Sequence, residues 1–307
     1  MRVYEMLSGT TRLLGIIGHP IEHSLSPRMH NAAFVHDGAD YVYVAMDVWP
    51  DRLPAAVEGL RALGFVGFNV TMPHKEAILP LLDELDETAR LAGAVNTVLV
   101  EERGLLRGLN TDGSGFLEAC GEAGVSLSEK RVLILGAGGA AAAIAVASLG
   151  EGASRLYIVN RTETRAEELR ARLLGIGREA EVSVHPFEEV GEAAAEAEVL
   201  INATYLGMKE GDPLPLPVEA LTAEKVVCDA VYLAAEETSL VRRARGAGAR
   251  TVPGGRMLLY QGVQAQRLWT GREPDVGVMS DALARCRNRL PGRKSGTSSS
   301  WRKDHEG

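Results

Sequence analysis

Lys75 lies in the run Asn69-Val70-Thr71-Met72-Pro73-His74-Lys75-Glu76, and Asp112 in Asn110-Thr111-Asp112-Gly113. An ammonium beside a ketone oxygen stabilises the negative charge that builds there as hydride reaches the carbon, and it can deliver the proton. In the reverse direction a neutral amine accepts the proton of a hydroxyl. A carboxylate near the amine would pair with it and aim it. Two more polar clusters, His23-Ser24-Leu25-Ser26-Pro27 and Ala94-Val95-Asn96-Thr97, add hydroxyl and amide groups. The four sets are small, polar and hydroxyl-rich, which suits a small polyhydroxylated substrate better than a large apolar one. Lys75 also fits a surface position in a first helical turn. Asp112 and Ser26 also fit helix N-caps; Asp112 can cap with one oxygen and meet a ligand with the other, and for Ser26 too capping does not exclude contact with a carboxylate. His19 and His23 are four apart with Pro20 between them, so a helical metal pair is disfavoured and no metal is expected. His74 reads as structural.

A second kind of chemistry is written in Gly136-Ala137-Gly138-Gly139-Ala140-Ala141, which fits G-x-G-x-x-A. It follows an apolar strand and opens a helix, the context in which that pattern binds a dinucleotide. The first glycine permits a tight turn, the second lets backbone approach a pyrophosphate, and the helix N-terminus offers N–H groups and a positive dipole end. An NAD site places an acidic residue at the tip of the next strand to hold the ribose 2′-hydroxyl. This chain has Asn160-Arg161-Thr162 there, with Arg165 one turn on. Guanidinium groups and a hydroxyl suit a 2′-phosphate, so NADP is the expected cofactor.

The elements that must hold these groups alternate strand and helix, the signature of an α/β chain. Strands are expected at 13–18, 41–48, 65–71, 94–100 and 104–109, with helices from Ser26-Pro27 to about Val35, over 54–63, and opening at Pro73. The second unit begins near Asp112. It reads as a helix over 113–121, strands at 131–135, 155–160, 182–184, 199–203, 226–230 and 250–252, and helices to about Leu149 and over 163–174. Met257–Trp269 is expected to be a helix with its inner face at Leu258, Gln261, Ala265 and Leu268, and Ala282–Leu290 a last helix. No fixed-period repeat occurs.

At 307 residues the chain is long for one core and comfortable for two domains. Apolar residues are 46% and charged residues 24%, ordinary for a soluble enzyme. A net charge of −8 argues against a general affinity for nucleic acid or anionic membrane. No run of about 18 apolar residues would span a membrane. Met1–Thr10 lacks a basic segment followed by an apolar one, and Cys120, Cys228 and Cys286 show no paired spacing, so a cytoplasmic, reducing location is expected. From Arg285 to Gly307 there are seven basic and two acidic residues, which with the Gly and Ser content read as a disordered, solvated tail.

Taken together, S-x-S-P, N-V-T-x-P-x-K, A-V-N-T, N-T-D-G, G-A-G-G-A and N-R-T-x-x-R, in that order, resemble the shikimate dehydrogenase family from about Leu13 to Asp281. The resemblance implies two α/β domains. The first is an N-terminal substrate domain with a mostly parallel sheet, over 1–111 plus 254–288. The second is a Rossmann-like NADP-binding domain over 112–253. C-terminal helices return to the first domain, and 289–307 is the basic tail. It implies NADP-dependent reduction of 3-dehydroshikimate to shikimate, on the route to chorismate and the aromatic amino acids. Lys75 then matches the catalytic lysine and Asp112 its partner. Ser24 and Ser26 match the hydroxyls that bind the substrate carboxylate. Asn69, Thr71, Asn96 and Asp112 match contacts to the ring hydroxyls, and Tyr232 and Gln261 match later substrate contacts. Gly136, Ala137, Gly138, Gly139, Ala140, Asn160, Arg161, Thr162 and Arg165 match the cofactor site, joined by Thr204, Met208 and Gly254 near the nicotinamide. The expected partner is a small molecule, with neither nucleic acid nor membrane, and the expected assembly a monomer or homodimer.

Three features depart from the family pattern. After Tyr232 the family's Pro is missing and the run Leu233-Ala234-Ala235-Glu236-Glu237-Thr238 is one residue longer. Tyr205 stands where a smaller residue or Pro is common, and the chain continues past the family's usual end. Quinate or aminoshikimate dehydrogenase activity is the alternative within enzymes. A non-catalytic NADP-binding sensor of the same fold is the alternative outside them, although Lys75 and Asp112 are both present.

Overall fold

Leu14 and Ile16 point to one side of the first strand and Leu13 and Ile17 to the other, and both pairs are covered. That double burial is what a central parallel strand requires. A computed structural model of the chain describes residues 7–285 apart from 175, 177–179, 210 and 234–236. In the first sheet the strands are β1 (Arg12–Gly18), β2 (Tyr41–Asp47), β3 (Gly67–Val70), β4 (Glu84–Leu85), β5 (Thr97–Val100) and β6 (Leu106–Leu109), in the order β2-β1-β3-β5-β6-β4. Three of its five pairings are parallel; β3–β5 and β5–β6 are antiparallel. The helices α1 (Ser26–Asp37), α2 (Leu53–Ala62), α3 (His74–Ala77) and α4 (Glu87–Ala92) belong to this half. Val57 and Leu60 of α2 pack with Ile17, Phe68 and Val70 on one face, and Phe34 of α1 packs with Leu14 and Tyr43 on the other.

The second sheet is wholly parallel. Its strands are β7 (Arg131–Leu135), β8 (Arg155–Val159), β9 (Glu181–His185), β10 (Val199–Asn202), β11 (Val226–Asp229) and β12 (Arg250–Val252), in the order β12-β11-β10-β7-β8-β9. Counted from its own first strand this is the doubly wound order, which reverses between β7 and β10 and opens a ligand crevice there. The helices α5 (Asp112–Glu122), α6 (Gly139–Gly150) and α7 (Glu163–Leu174) supply side chains to the core around Val132 and Ile134, while α8 (Val190–Glu196) and α9 (Ser239–Gly246) supply those around Leu133 and Leu135. Alanines at 141–143 and 145 let α6 lie close to its neighbours. A Cβ at Gly113 of α5 would fall 2.7 Å from the carbonyl oxygen of Ala143.

Two last helices, α10 (Gly254–Thr270) and α11 (Val276–Ala284), return to the first half. Leu259, Val263 and Met279 pack on Met29 and Ala33 of α1. Trp269 donates its indole N–H to the Val98 carbonyl of β5 at 3.0 Å.

Four local expectations change. Leu25, not Ser26, occupies the N-cap position of α1, and Thr111, not Asp112, that of α5; Ser26 and Asp112 are first helical residues, so neither side chain is spent on a cap. The inner face of α10 runs through Leu258, Gln261, Ala265 and Trp269, and Leu268 is 41% exposed. Steps of 3.6 residues from 258 arrive nearer 269 than 268. Among the described residues the last helix is α11, which begins before 282, with the Asp275 side chain accepting from the N–H of Val278 at 2.9 Å as its cap. Gly277 in its first turn hid it. The rest of 282–290 past Arg285, the tail over 289–307 and residues 234–236 of the altered run after Tyr232 lie outside the described residues.

Candidate active site

Lys75 sits in α3, one tight turn after β3, and Asp112 opens α5 just after β6. The two ends are brought together by the β3-β5-β6 part of the sheet. Lys75 Nζ donates to Asp112 Oδ2 at 2.5 Å. Asp112 Oδ1 accepts from Asn96 Nδ2 at 2.8 Å, so both carboxylate oxygens are held. Asn96 is fixed in turn: its Oδ1 accepts from the backbone N–H of Thr111 at 2.8 Å and from Thr97 Oγ1 at 2.9 Å. Its Nδ2 also reaches Thr111 Oγ1 at 3.0 Å and Gln261 Oε1 at 3.3 Å.

These groups line a cleft of about 340 Å³ between the two halves. Of the expected substrate residues, Ser26, Asn69, Thr71, Asn96, Tyr232 and Gln261 face it together with Lys75 and Asp112. Ser24 does not line it; its Oγ accepts the Ser26 N–H at 3.4 Å, one step behind Ser26. Asn69 and Asn96 spend most of their capacity on the wall itself. Asn69 Nδ2 donates to Asn96 O at 3.0 Å and Thr97 Oγ1 at 3.1 Å, and Oδ1 accepts the Tyr43 hydroxyl at 2.6 Å. Burial, followed by the charge of Asp112, pushes the Tyr232 phenol up to about 12, so it faces the cleft as a neutral O–H donor.

On the opposite wall stand Gly138, Gly139, Ala140, Arg165, Thr204, Met208 and Gly254. Gly136 has φ +117°, and a Cβ there would sit 2.8 Å from the Ala203 carbonyl oxygen, so the turn into α6 requires glycine. A Cβ on Gly138 would meet nothing within 4 Å, which leaves its backbone open toward the cleft. A Cβ on Gly139 would lie 3.3 Å from Lys75 Cβ, so the helix N-terminus touches the lysine's own stem. The cradle therefore fits a pyrophosphate at α6 beside Lys75. Gly136, Ala137, Asn160, Arg161 and Thr162 lie behind or beside the lining. Asn160 Nδ2 donates to Thr162 O at 2.8 Å, and Arg161 and Thr162 are exposed at the tip of β8.

Several groups that support the walls went unread in the sequence. His30 stacks on Tyr43 at 4.4 Å and bonds Gln266 at 2.8 Å, and Tyr43 shares a side-chain hydrogen bond with Ser26. Asp229 at the tip of β11 accepts from Asn202 Nδ2 at 2.8 Å, Val231 N at 3.0 Å and Thr238 Oγ1 at 2.6 Å, and burial lifts its carboxyl to about 6. Asn202 Oδ1 holds the N–H and hydroxyl of Thr204, at 3.1 and 2.7 Å, so one network ties the loops after β10 and β11. A carboxylate at a strand tip was the available signal. His74 is buried with Nε2 on Val48 O at 2.7 Å, a structural bond. His19 pairs with Asp47 at 2.8 Å. Among the described residues no group of three His, Cys, Asp or Glu could hold a metal, and no helix is long and apolar enough to cross a membrane.

Three family models match the chain: the shikimate dehydrogenase substrate binding domain over residues 16–98, shikimate / quinate 5-dehydrogenase over 119–207, and the shikimate 5′-dehydrogenase C-terminal domain over 254–284. A shikimate dehydrogenase (NADP(+)) of Rubrobacter xylanophilus is 60% identical over 91% of this chain and 97% of its own. This chain belongs to the shikimate dehydrogenase family. Its fold is also that of solved members. Shikimate 5-dehydrogenase from Thermus thermophilus, in complex with NADP(H) and shikimate, superposes with a TM-score of 0.80 at 38% identity, covering 90% of this chain and 99% of that one. Quinate dehydrogenase from Corynebacterium glutamicum, in complex with NAD, gives 0.82 at 36%, covering 90% and 99%. The family's two-domain α/β architecture, with a Rossmann-like half and returning C-terminal helices, is the one described above.

Proposed function

We propose that the protein catalyses the reversible, NADP-dependent reduction of 3-dehydroshikimate to shikimate, an oxidoreductase step on the way to chorismate and the aromatic amino acids. The observation that carries this reading is the placing of Lys75, anchored by Asp112, which Asn96 holds in turn, against the N-terminus of α6. The division of labour follows the two sheets: a substrate half, 1–111 with 254–288, and a cofactor half, 112–253. The protein works on a small molecule in the cytoplasm as a monomer or homodimer, without nucleic acid or membrane.

Gly138, Gly139 and Ala140 would hold the pyrophosphate, Arg161, Thr162 and Arg165 the 2′-phosphate, and Thr204, Met208 and Gly254 the nicotinamide end. When bound, NADP supplies or accepts the hydride. Lys75 carries three N–H groups and Asp112 takes one, which leaves two to meet the substrate oxygen. In reduction the ammonium stabilises the charge developing on that oxygen and gives it one proton, leaving a neutral amine beside Asp112. In oxidation the amine takes that proton back from the hydroxyl. Asp112, fixed by Asn96, prevents the flexible lysine from swinging away, a positioning effect that needs no contact of its own with the reacting carbon. Ser26, with Ser24 behind it, meets the substrate carboxylate at the uncapped N-terminus of α1, where the dipole favours an anion. Thr71, Tyr232 and Gln261 meet the ring hydroxyls, and Asn69 and Asn96 chiefly hold the wall that presents them.

Quinate is the second substrate to compare, because a quinate dehydrogenase shares the fold over nearly its full length. The two acids differ by one hydroxyl and the ring double bond, and a pocket rejects an analogue that merely adds a hydroxyl by only about 10²-fold. Steady-state kcat/KM for shikimate and quinate, each with NADP and NAD, tests the proposal directly. A preference for quinate or for NAD overturns it. Tight NADPH binding with no turnover of any cyclohexene or cyclohexane polyol would point to the sensor instead.

A further inference from the structure

Glu76 follows Lys75 in α3, and Arg165 stands on α7 of the opposite half. Arg165 Nη2 donates to both Oε1 and Oε2 of Glu76 at 2.9 Å. Both residues line the cleft, and their side chains remain 51% (Arg165) and 45% (Glu76) exposed, so the pair bridges the two halves at the cleft's mouth. Tyr205, the residue that departs from the family pattern, feels the charges of both and lines the same mouth. No other arginine lines this cleft among the described residues.

We infer that Glu76 is a selectivity residue for the cofactor: a counter-charge that a 2′-phosphate must share or displace at Arg165. The inference rests on the reading that Arg165 meets the 2′-phosphate. Arg165 has five N–H donors, and Glu76 engages only Nη2. Nη1 and Nε remain for a phosphate, but a dianion taken there lies within a few ångströms of a carboxylate. The carboxylate competes with it for the guanidinium, and the like charges repel only because Arg165 draws the phosphate to that place; without the arginine the phosphate is not held beside Glu76. A cofactor with a 2′-hydroxyl brings no charge to this corner and leaves the Glu76–Arg165 bridge intact. Glu76 therefore lowers the preference for NADP that Arg161 and Arg165 create, and the same cofactor that gains Arg165 loosens the bridge next to Lys75.

Direct binding of NADPH and NADH, followed by nicotinamide fluorescence or calorimetry at low and high salt, separates the possibilities. Glu76→Gln keeps the size and removes the charge. It should tighten NADPH by about three- to tenfold at low salt, less at high salt, and leave NADH within about twofold, the scale of one screened exposed charge pair. Arg165→Met should weaken NADPH, and adding Glu76→Gln to it should bring no further gain. If Arg165→Met leaves the NADPH-to-NADH ratio at its wild-type value, Arg165 does not read the 2′-phosphate and the inference falls with that reading. If Arg165→Met weakens NADPH but Glu76→Gln moves both cofactors alike or neither, Glu76 is only a strut between the halves. A gain from Glu76→Gln that persists in the Arg165→Met background equally overturns the inference, because the carboxylate would then act without the arginine.

Discussion

The Lys75 ammonium and the Asp112 carboxylate are 2.5 Å apart, and the other carboxylate oxygen is held by Asn96 at 2.8 Å, so the lysine is aimed by a rigid, buried support. Removing a group that meets charge only in the transition state lowers kcat and leaves KM nearly alone. Lys75→Ala should lose at least about 10²-fold in kcat. Asp112→Asn should resemble it, because the amide no longer anchors the amine. A Lys75→Ala enzyme with wild-type kcat and an altered KM would reassign Lys75 to binding.

Ser26 lines the cleft at the start of α1, while Ser24 stands behind it and accepts its N–H. Both variants to alanine should raise the KM for shikimate more than they lower kcat, since a carboxylate contact is present in ground and transition states alike. Ser26→Ala should be the more damaging of the two. Equal effects, or a fall confined to kcat, would show that the hydroxyls do not share the carboxylate in this way.

Arg161 is exposed at the tip of β8 and forms no ion pair among the described residues. Its replacement by Glu should raise the Kd for NADPH by at least about tenfold, one lost charge-assisted contact plus repulsion, and change NADH far less. Equal losses for both cofactors would remove Arg161 from the 2′-phosphate site.

His30 is fully buried against Tyr43, and burial lowers its value from 6.5 to about 4, against a smaller opposing effect of the Gln266 hydrogen bond. The unfolded chain therefore takes up this proton first as pH falls. The stability His30 contributes is complete above about pH 6.5 and is lost progressively toward pH 4, a total of roughly 3 kcal/mol. Asp229 works in the opposite sense, since its raised value favours the folded state below the ordinary carboxylate range and that gain disappears as pH rises through about 6. Chemical denaturation of wild type and His30→Gln across this range isolates the histidine. The variant should show a flatter loss of stability on the acid side, and parallel profiles would rule His30 out as its source.

Much of this is legible in the sequence alone. Apolar runs at β1 and β7 and the glycine turn at 136–139 identify both sheets and the cofactor corner, because central strands and tight turns tolerate few residue types. Lys75, Asp112 and Ser26 were readable from their motifs, and the structure brings them to one cleft. What was not legible depends on distance in the chain. Glu76 and Arg165 meet across 89 residues, His30 and Gln266 across 236, and no local pattern marks either pair. The caps lie one position earlier than residue type suggests, because Asp112 satisfies the capping preference as well as Thr111 and Ser26 far better than Leu25, so preference alone does not find either boundary. The resemblance implies substrate contacts at Asn69 and Asn96; both line the cleft, and their amides also tie strand ends together, a role that no local pattern announces.

Helix α10 covers the face of the first sheet around Leu14, Phe34 and Tyr43, with Ala265 and Trp269 completing that layer. It is encoded after the whole second sheet. A ribosome therefore releases β1 to β6 long before the segment that closes them, and all twelve strands can emerge while an apolar face of the first half still meets water. Until α10 emerges, the nascent chain carries a sticky surface around Leu14 and Tyr43, and a message truncated just before Gly254 would leave that face bare and the second core without Met257.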